Sequence, residues 1–339
     1  MNEHQVLNLY PIDYPFETLV DRVFKDKLIL DPDFQRKYKW DKDGYVRSSR
    51  FIESCLMRIP LPACYFSENE EGNHLVIDGV QRITTIKNFM DDKFRLEGLT
   101  SFKSLEGKLF SELGSYKTDI ENYTIRCIIL RNDNPKHLVQ DIFARLNEGS
   151  VILSNQEIRH ALYAGGFNDL LGELAKEHEI ESFGRGKSGK QVKDSLEAEE
   201  QVLRFFAFFE DGERYDDNLK LFLDELMANM KLTSEDDIST YREVFKESLR
   251  KCIEVFGDDV FVDTSKSRPK QSLVYYDLLM KDFSGREAKF ITDHRQSIKD
   301  KFEYFCTMPE VKKTLSGGTL NKSKIKVRDK AWKGLLAEI

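Results

Sequence analysis

The stretch Leu75-Val76-Ile77-Asp78-Gly79-Val80-Gln81-Arg82-Ile83-Thr84-Thr85-Ile86 decides how the first half of the chain is interpreted. It begins with a β-branched apolar run, which is typical of a strand, and it breaks at an Asp-Gly pair, which is typical of a tight turn. Apolar residues then recur at helical spacing, at Ile83, Ile86, Phe89 and Met90. The stretch therefore predicts a strand, a turn and a helix.

The polar residues at this turn predict an anion-binding site. A helix N-terminus presents unpaired backbone N–H groups and the positive end of the helix dipole, and Arg82 and Thr84 lie close by in the sequence. A structural alternative explains the same residues: Asp78 caps the helix, Gly79 provides an unusual turn dihedral and Arg82 is solvated. A single glycine is weaker evidence than a phosphate loop, and the chain contains no G-x-x-x-x-G-K-[ST].

Composition indicates an ordinary globular protein that is large enough for two domains. The chain has 339 residues, of which 33% are charged, 40% hydrophobic and 12% aromatic. Its net charge is −7. Because a protein that covers its whole surface with nucleic acid is more often basic, we expect any contact with DNA to use local patches.

The cysteines and the apolar runs indicate a cytoplasmic protein. Five cysteines are far apart and lie mostly in apolar segments, which is typical of buried free thiols in a reducing compartment. Their spacing predicts no zinc site, and no metal-ligand cluster is predicted elsewhere. The N-terminus has no apolar signal region, and there is no 18-residue apolar run.

The first half of the chain alternates between helical and strand patterns. We predict helices over 16–24, 48–59 and 135–147, and strands over 28–30, 63–66, 74–78, 94–96 and 123–130. Ser154 and Glu157 have the spacing of a capping box, which predicts the start of a further helix. The sequence therefore predicts a mixed αβ domain over residues 1–160.

Helical patterns dominate the rest of the chain. They cover 167–175, 196–209, 219–230, 241–256, 272–280 and 286–305, and we predict a separate all-helical domain over 161–339. The fold class is therefore α+β. Four phenylalanines, Phe205, Phe206, Phe208 and Phe209, crowd one helix without interleaved cations, so we interpret them as core residues.

Two basic segments lie in this half. The first, in a Gly/Ser-rich stretch, contains Arg185, Lys187, Lys190 and Lys193, and the second runs from Lys312 to Lys333 with eight cations and one acid. A charge run is usually a solvated face. Two such runs in an acidic protein nevertheless predict contact with a polyanion such as DNA. The predicted contacts are Lys322, Lys324, Lys326 and Arg328.

A loop over 34–40 interleaves cations with Tyr38 and Trp40, which predicts either a phosphate- or base-binding loop or aromatic anchors flanked by solvated cations. Together with several other motifs, this loop resembles the ParB/sulfiredoxin-like domain at the N-terminus of GmrSD-type modification-dependent restriction enzymes. The resemblance covers about residues 15–175. It is carried by Phe34-Gln35-Arg36, Trp40, Ile59-Pro60-Leu61-Pro62, Asp78-Gly79-Val80-Gln81-Arg82, Phe143-Ala144-Arg145-Leu146-Asn147, Gly149, Leu153, Glu157 and Arg159.

The resemblance implies a nucleoside triphosphate site with Mg²⁺, and in some members hydrolysis. The implied catalytic residues are Asp78, Gln81 and Arg82, and the implied nucleotide-binding residues are Gln35, Arg36, Gly79, Thr84, Arg145 and Asn147. The usual motif is Asp-Gly-Gln-Gln-Arg, and Val80 replaces its first glutamine here. If that amide orients a water or a base, its loss leaves a nucleotide binder rather than an efficient hydrolase.

Full-length relatives carry an HNH nuclease domain, which needs at least two converging histidines. Thr292-Asp293-His294 resembles the start of such a motif, but His294 is the last histidine, and the others lie in the first 178 residues. The resemblance therefore implies a nucleotide-binding defence protein that senses or acts on foreign DNA, with a partner protein of the same system. The alternatives are a non-enzymatic DNA-binding adaptor and, third, a nuclease acting through the ParB-like domain.

Overall fold

The structure is a computed structural model. It describes residues 7–30, 40, 44–135, 138–139, 142, 154–183, 196–263, 266 and 270–339. The chain divides into two compact units, Met1–Leu153 and Ser154–Ile339. The boundary predicted after residue 160 falls within a helix, Asn155–Leu162, which lies in the second unit. The predicted helix over 135–147 lies mostly outside the described residues.

The first unit contains a five-stranded mixed sheet. Its strands are β1 (Leu9–Pro15), β2 (Leu28–Ile29), β3 (Cys64–Glu68), β4 (His74–Asp78) and β5 (Thr124–Leu130), in the order β1-β5-β3-β4-β2. The β3–β4 and β1–β5 pairs are antiparallel, and the β3–β5 and β2–β4 pairs are parallel. The predicted strands over 63–66 and 74–78 are confirmed as β3 and β4, which form an antiparallel hairpin in the interior of the sheet.

Strand β1 was not predicted from the sequence. It contains Pro11 and ends at Pro15, and proline cannot donate a hydrogen bond to a β-ladder. The strand is compatible with proline because it lies at the edge of the sheet and pairs with β5 alone. Its exposed side carries Asp13, which accepts two hydrogen bonds of 2.9 Å from Arg126 on β5.

In the described part of this unit, four helices with full bounds accompany the sheet. They are α1 (Phe16–Phe24), α2 (Val46–Leu56), α3 (Val80–Met90) and α4 (Tyr116–Glu121). The apolar faces of α1, α2 and α3 supply Phe16, Leu19, Ile52, Ile83 and Ile86 to one core, where each side chain is fully buried. Their helical periodicity is therefore explained by burial against the sheet and against each other.

The strand predicted over 94–96 is wrong. Phe94 and Leu96 are buried, but they lie in an irregular segment, where Leu96 exchanges backbone hydrogen bonds with Gly107 and Lys108. Glu53 of α2 organises the next residues of this segment. Its buried carboxylate accepts hydrogen bonds from the backbone N–H groups of Thr100 (2.9 Å), Ser101 (2.6 Å) and Phe102 (3.0 Å) and from the Thr100 hydroxyl.

The second unit is built from helices. They are α5 (Asn155–Leu162), α6 (Gly166–Leu174), α7 (His178–Glu181), α8 (Glu197–Asp211), α9 (Leu219–Asn229), α10 (Glu235–Phe256), α11 (Leu273–Ser284), α12 (Ala288–Asp293), α13 (Arg295–Thr307), α14 (Pro309–Thr314) and α15 (Lys322–Leu336). Within its described residues, the only β-pairing is an isolated bridge between Val262 and Gln271. The predicted α+β class is confirmed.

The core of this unit is rich in aromatic rings. Phe205, Phe206 and Phe208 are buried on α8, as predicted, whereas Phe209 is 37% exposed. The helix predicted over 286–305 is divided into α12 and α13 at His294. All five cysteines of the chain are buried free thiols, as predicted. None of the helices in the described part is both long and apolar enough to cross a membrane.

Candidate functional site

The predicted strand–turn–helix is confirmed at the junction of β4 and α3. Strand β4 ends at Asp78, and Gly79 is the N-cap of α3 with φ +108°. The N-cap of α3 is Gly79, not Asp78, and in the described part of the chain the Asp78 carboxylate bonds Arg82, so the expectation that Asp78 caps the helix is wrong. The first backbone N–H groups of α3 are the groups that a helix N-terminus leaves for an outside acceptor.

The sequence needs a glycine at residue 79 for two reasons. An L-residue rarely adopts a φ of +108°. A β-carbon at this position would also overlap the Cys64 thiol on β3. Close approach of the turn to β3 therefore depends on Gly79 having no side chain.

Arg82 ties the first turn of α3 to the segment that enters β3. Its Nη2 lies 2.7 Å from Asp78 Oδ2 and donates to the Ala63 carbonyl at 3.2 Å, while Nη1 donates to the Pro62 carbonyl. The Arg82 side chain is 13% exposed, and that of Asp78 is 33% exposed. Arg82 is therefore fixed in place rather than solvated, and its guanidinium, paired with Asp78, lies at the N-terminus of α3.

The two threonines of α3 differ in their partners. The Thr85 hydroxyl donates to the Gln81 carbonyl at 2.7 Å, which is ordinary bonding within a helix. The Thr84 side chain is also buried, but its Oγ1 has no hydrogen-bond partner among the described residues. A buried hydroxyl without a partner is costly, so Thr84 is the polar group here that a bound ligand would satisfy.

A pair of thiols lies beneath the turn. Cys64 and Cys127 are register partners on the parallel strands β3 and β5, and both are fully buried. A hydrogen bond from the Cys127 thiol lowers the pKa of Cys64, burial opposes this, and the Arg82 guanidinium lowers it further. The same hydrogen bond and burial raise the pKa of Cys127. The two cysteines are far apart in the sequence, which gives no sign that their thiols meet.

The structure does not describe the remaining residues of the predicted nucleotide pocket. Gln35, Arg36, Arg145 and Asn147 lie outside the described residues, as does the basic segment 185–193. In the described part of the chain, no three His, Cys, Asp or Glu side chains form a group with metal-site geometry. At the β4–α3 junction, Asp78 provides the carboxylate that a metal ion would need.

The predicted DNA contacts on α15 divide into two kinds. Arg328 is 3% exposed and donates to the carbonyls of Thr314 and Thr319, so its predicted role as a surface contact is wrong. The Lys322 Nζ donates to the Glu213 carbonyl at 2.6 Å, and the Lys324 Nζ donates to the Ser316 carbonyl at 2.6 Å. Lys326 is exposed. The basic surface is therefore smaller than the sequence implies.

The predicted capping box is confirmed at the start of α5. The Glu157 N–H donates to the Ser154 hydroxyl at 3.1 Å, and the Ser154 N–H donates to the Glu157 carboxylate at 2.6 Å. Two residues later Arg159 is 1% exposed and pairs with Asp224 of α9 (2.7 Å) and Glu200 of α8 (2.9 Å). Arg159 is therefore a structural cation of the helical unit, and its acidic partners had no local signal in the sequence.

Comparison with known proteins adds one match. A family model described as the GmrSD restriction endonuclease N-terminal domain matches residues 16–164. The matched segment contains β2 to β5, α1 to α5 and the whole β4–α3 junction. No curated protein and no solved structure matches the chain.

Proposed function

We propose that the β4–α3 junction binds a nucleoside triphosphate with Mg²⁺. Residues 16–164 match the family model of the GmrSD restriction endonuclease N-terminal domain. This match points to a restriction-type phage-defence protein acting on DNA. The observation that carries this proposal is the position of the Arg82 guanidinium, which is fixed beside an α3 N-terminus that begins at a glycine. A phosphate group accepts hydrogen bonds from the backbone N–H groups of a helix N-terminus. It is attracted by the positive end of the helix dipole and by a guanidinium.

Three side chains support a triphosphate rather than a smaller anion. Arg82 balances phosphate charge, and the Thr84 hydroxyl gains the acceptor or donor that it lacks in the free protein. Asp78 uses Oδ2 for Arg82 and is one-third exposed, which leaves its other carboxylate oxygen for the metal. A protein site for Mg²⁺ commonly needs only one or two carboxylates, because phosphate oxygens and water complete the octahedron. Bound Mg²⁺ would neutralise charge on the phosphates.

Hydrolysis depends on what replaces the first glutamine of the usual motif. Gln81 is partly exposed in the first turn of α3, where its amide is able to orient a water toward a bound phosphate. Val80 packs against the core cluster instead and has no hydrogen-bonding group in its side chain. We therefore propose tight binding with slow turnover, and we expect the Val80→Gln variant to hydrolyse faster than the wild type.

The helical unit would contact DNA through local cations. Lys326 is exposed on α15, and Lys322 and Lys324 lie on the same helix with their ammonium groups on backbone carbonyls. Phosphate contacts of this kind weaken as salt is added. We further propose that a partner protein of the same defence system takes part in restriction, in the cytoplasm.

The test is a thermal-shift and phosphate-release experiment with each of the four ribonucleoside triphosphates and Mg²⁺, with and without duplex DNA. A ligand at about 100 times its Kd adds about 2.7 kcal/mol to the free energy of unfolding, which is a readily measured rise in Tm. The site variant is Arg82→Ala. The matched control is Arg58→Ala, which removes the same charge from an 82% exposed side chain of the same unit.

Loss of Arg82 also removes three structural hydrogen bonds, so Thr84→Val provides a second site variant that leaves them intact. We expect a nucleotide-dependent shift in the wild type and in Arg58→Ala, and a much smaller one in Thr84→Val. No shift with any nucleotide would overturn the proposal and favour the DNA-binding adaptor. Metal-dependent nicking of DNA without nucleotide would favour the nuclease.

A further inference from the structure

A cleft in the helical unit lies apart from the residues considered so far. It lies between α11 and α15, has a volume of about 370 Å³, and is lined by Leu278, Lys281, Asp282, Gly285, Arg286, Asp329, Trp332 and Lys333. Ligand sites in proteins typically have volumes of about 300 Å³ or more. The cleft is therefore large enough to hold a small organic molecule.

The base of the cleft is rigid and apolar. Leu278 is 6% exposed, and Trp332 is fully buried, with its ring at an edge-to-face angle to Phe302 and Phe305 of α13. The Trp332 indole N–H donates to Asp282 Oδ2 at 3.2 Å, which fixes the ring plane. Gly285 leaves the lining open, because a β-carbon there would approach only the Asp282 carbonyl oxygen, at 3.9 Å.

The charges of the lining favour an anion. Arg286 binds both carboxylate oxygens of Asp282, at 2.6 and 3.1 Å, so each neutralises the other. Lys281 and Asp329 form a longer pair of 3.5 Å, with side chains 32% and 25% exposed. Lys333 is exposed and makes no ion pair among the described residues. The positive charge of Lys333 is therefore uncompensated in the described structure, and Lys281 is only weakly paired with Asp329.

We infer that this cleft binds a small phosphate monoester whose body is flat and largely apolar. The phosphate would lie between Lys281 and Lys333 and take Lys281 from Asp329, because a dianion attracts an ammonium group more strongly than one carboxylate does. The flat body would lie over Gly285 and Leu278, above the buried Trp332 ring. A mononucleotide has this combination of charge, shape and size. The site is independent of the β4–α3 junction.

Trp332 provides a local readout, because the chain has only two tryptophans. In a Trp40→Phe background, its fluorescence is followed during titration with adenosine monophosphate, with inorganic phosphate and with a short DNA duplex. The site variant is Lys281→Ala combined with Lys333→Ala. The matched control is Lys313→Ala combined with Lys330→Ala, which likewise removes two positive charges, from exposed side chains of α14 and α15, and leaves the lining unchanged.

We expect adenosine monophosphate to change the Trp332 emission with saturation, and the site variant to bind it about tenfold or more weakly. The control variant should bind within about twofold of the parent. Saturable binding by inorganic phosphate at higher concentration supports the same site. No saturable response to adenosine monophosphate, equal affinity in the site variant, or a response to DNA alone would each overturn the inference.

Discussion

The thiol of Cys64 occupies the space that a β-carbon on residue 79 would need. This contact joins β3 to the first turn of α3, and it explains why the chain has glycine where the helix begins. Because Gly79 also has a φ of +108°, the position is restricted both by its backbone and by its neighbour.

We expect Gly79→Ala to lower the free energy of unfolding by about 2 kcal/mol or more. The φ value alone costs an L-residue about 1–2 kcal/mol, and overlap with Cys64 adds to it. Urea denaturation of the variant measures the loss. When Cys64→Ala is added, we expect recovery only of the free energy of unfolding that was lost through overlap with the thiol. This recovery appears as a positive coupling energy in a double-mutant cycle. Additive effects of the two changes would show that the thiol does not restrict residue 79.

Arg159 should be the most sensitive position of α5. It is buried and is paired with Asp224 and Glu200, whose side chains are 12% and 33% exposed, so Arg159→Ala leaves two partly buried carboxylates without their cation. Loss of a cation from a fully buried pair costs about 3–5 kcal/mol, and because these carboxylates are partly solvated we expect the lower end of that range. Circular dichroism during chemical denaturation measures it. Arg242→Ala, which breaks an exposed pair with Glu173, should cost less than about 1 kcal/mol and serves as the control.

Glu53 should hold the backbone of residues 100–102 in place. Burial raises its pKa, but hydrogen bonds from Phe102, Ser101 and Thr100 outweigh burial and leave the pKa lowered overall. Glu53→Leu removes Oε1, which accepts all three backbone N–H groups, and Oε2, which accepts the Thr100 hydroxyl. We expect a loss of about 2 kcal/mol and faster amide hydrogen exchange at residues 100–102. Unchanged exchange there would contradict this role.

His74 should make the first unit sensitive to acid. Burial is the main cause that lowers its pKa to about 4, and the Arg22 guanidinium, 3.2 Å from Nδ1, lowers it further. Between about pH 6.5 and pH 4 the unfolded chain therefore binds a proton that the folded chain does not. Stability contributed by neutral His74 is complete above this window and is lost as the pH falls through it.

The expected slope from this residue is at most about 1.4 kcal/mol per pH unit. Denaturation at a series of pH values, on the wild type and on His74→Gln, measures it. Glutamine retains an acceptor for Arg22 and does not titrate, so the variant should show a shallower decline across the window. Identical pH profiles would show that His74 does not carry the acid sensitivity.

The sequence predicted most of the local structure around the candidate site. Apolar periodicity located α1, α2 and α3, and the β-branched run before Asp78-Gly79 located β4. It missed β1, because two prolines are tolerated there only at a sheet edge, and edge position is a tertiary property. It misassigned residues 94–96, because burial by neighbouring elements gives an irregular segment the same apolar composition as a strand.

The sequence by itself determined the α+β class, the strand–turn–helix and the Ser154–Glu157 capping box, because each depends on residues that are close along the chain. Only the tertiary structure decided what the charged residues do. Arg82 reaches carbonyls some 20 residues earlier, Arg159 reaches acids on two other helices, and Arg328 is buried. A charge in a sequence has no partner until the fold supplies one, so its role is set by long-range packing.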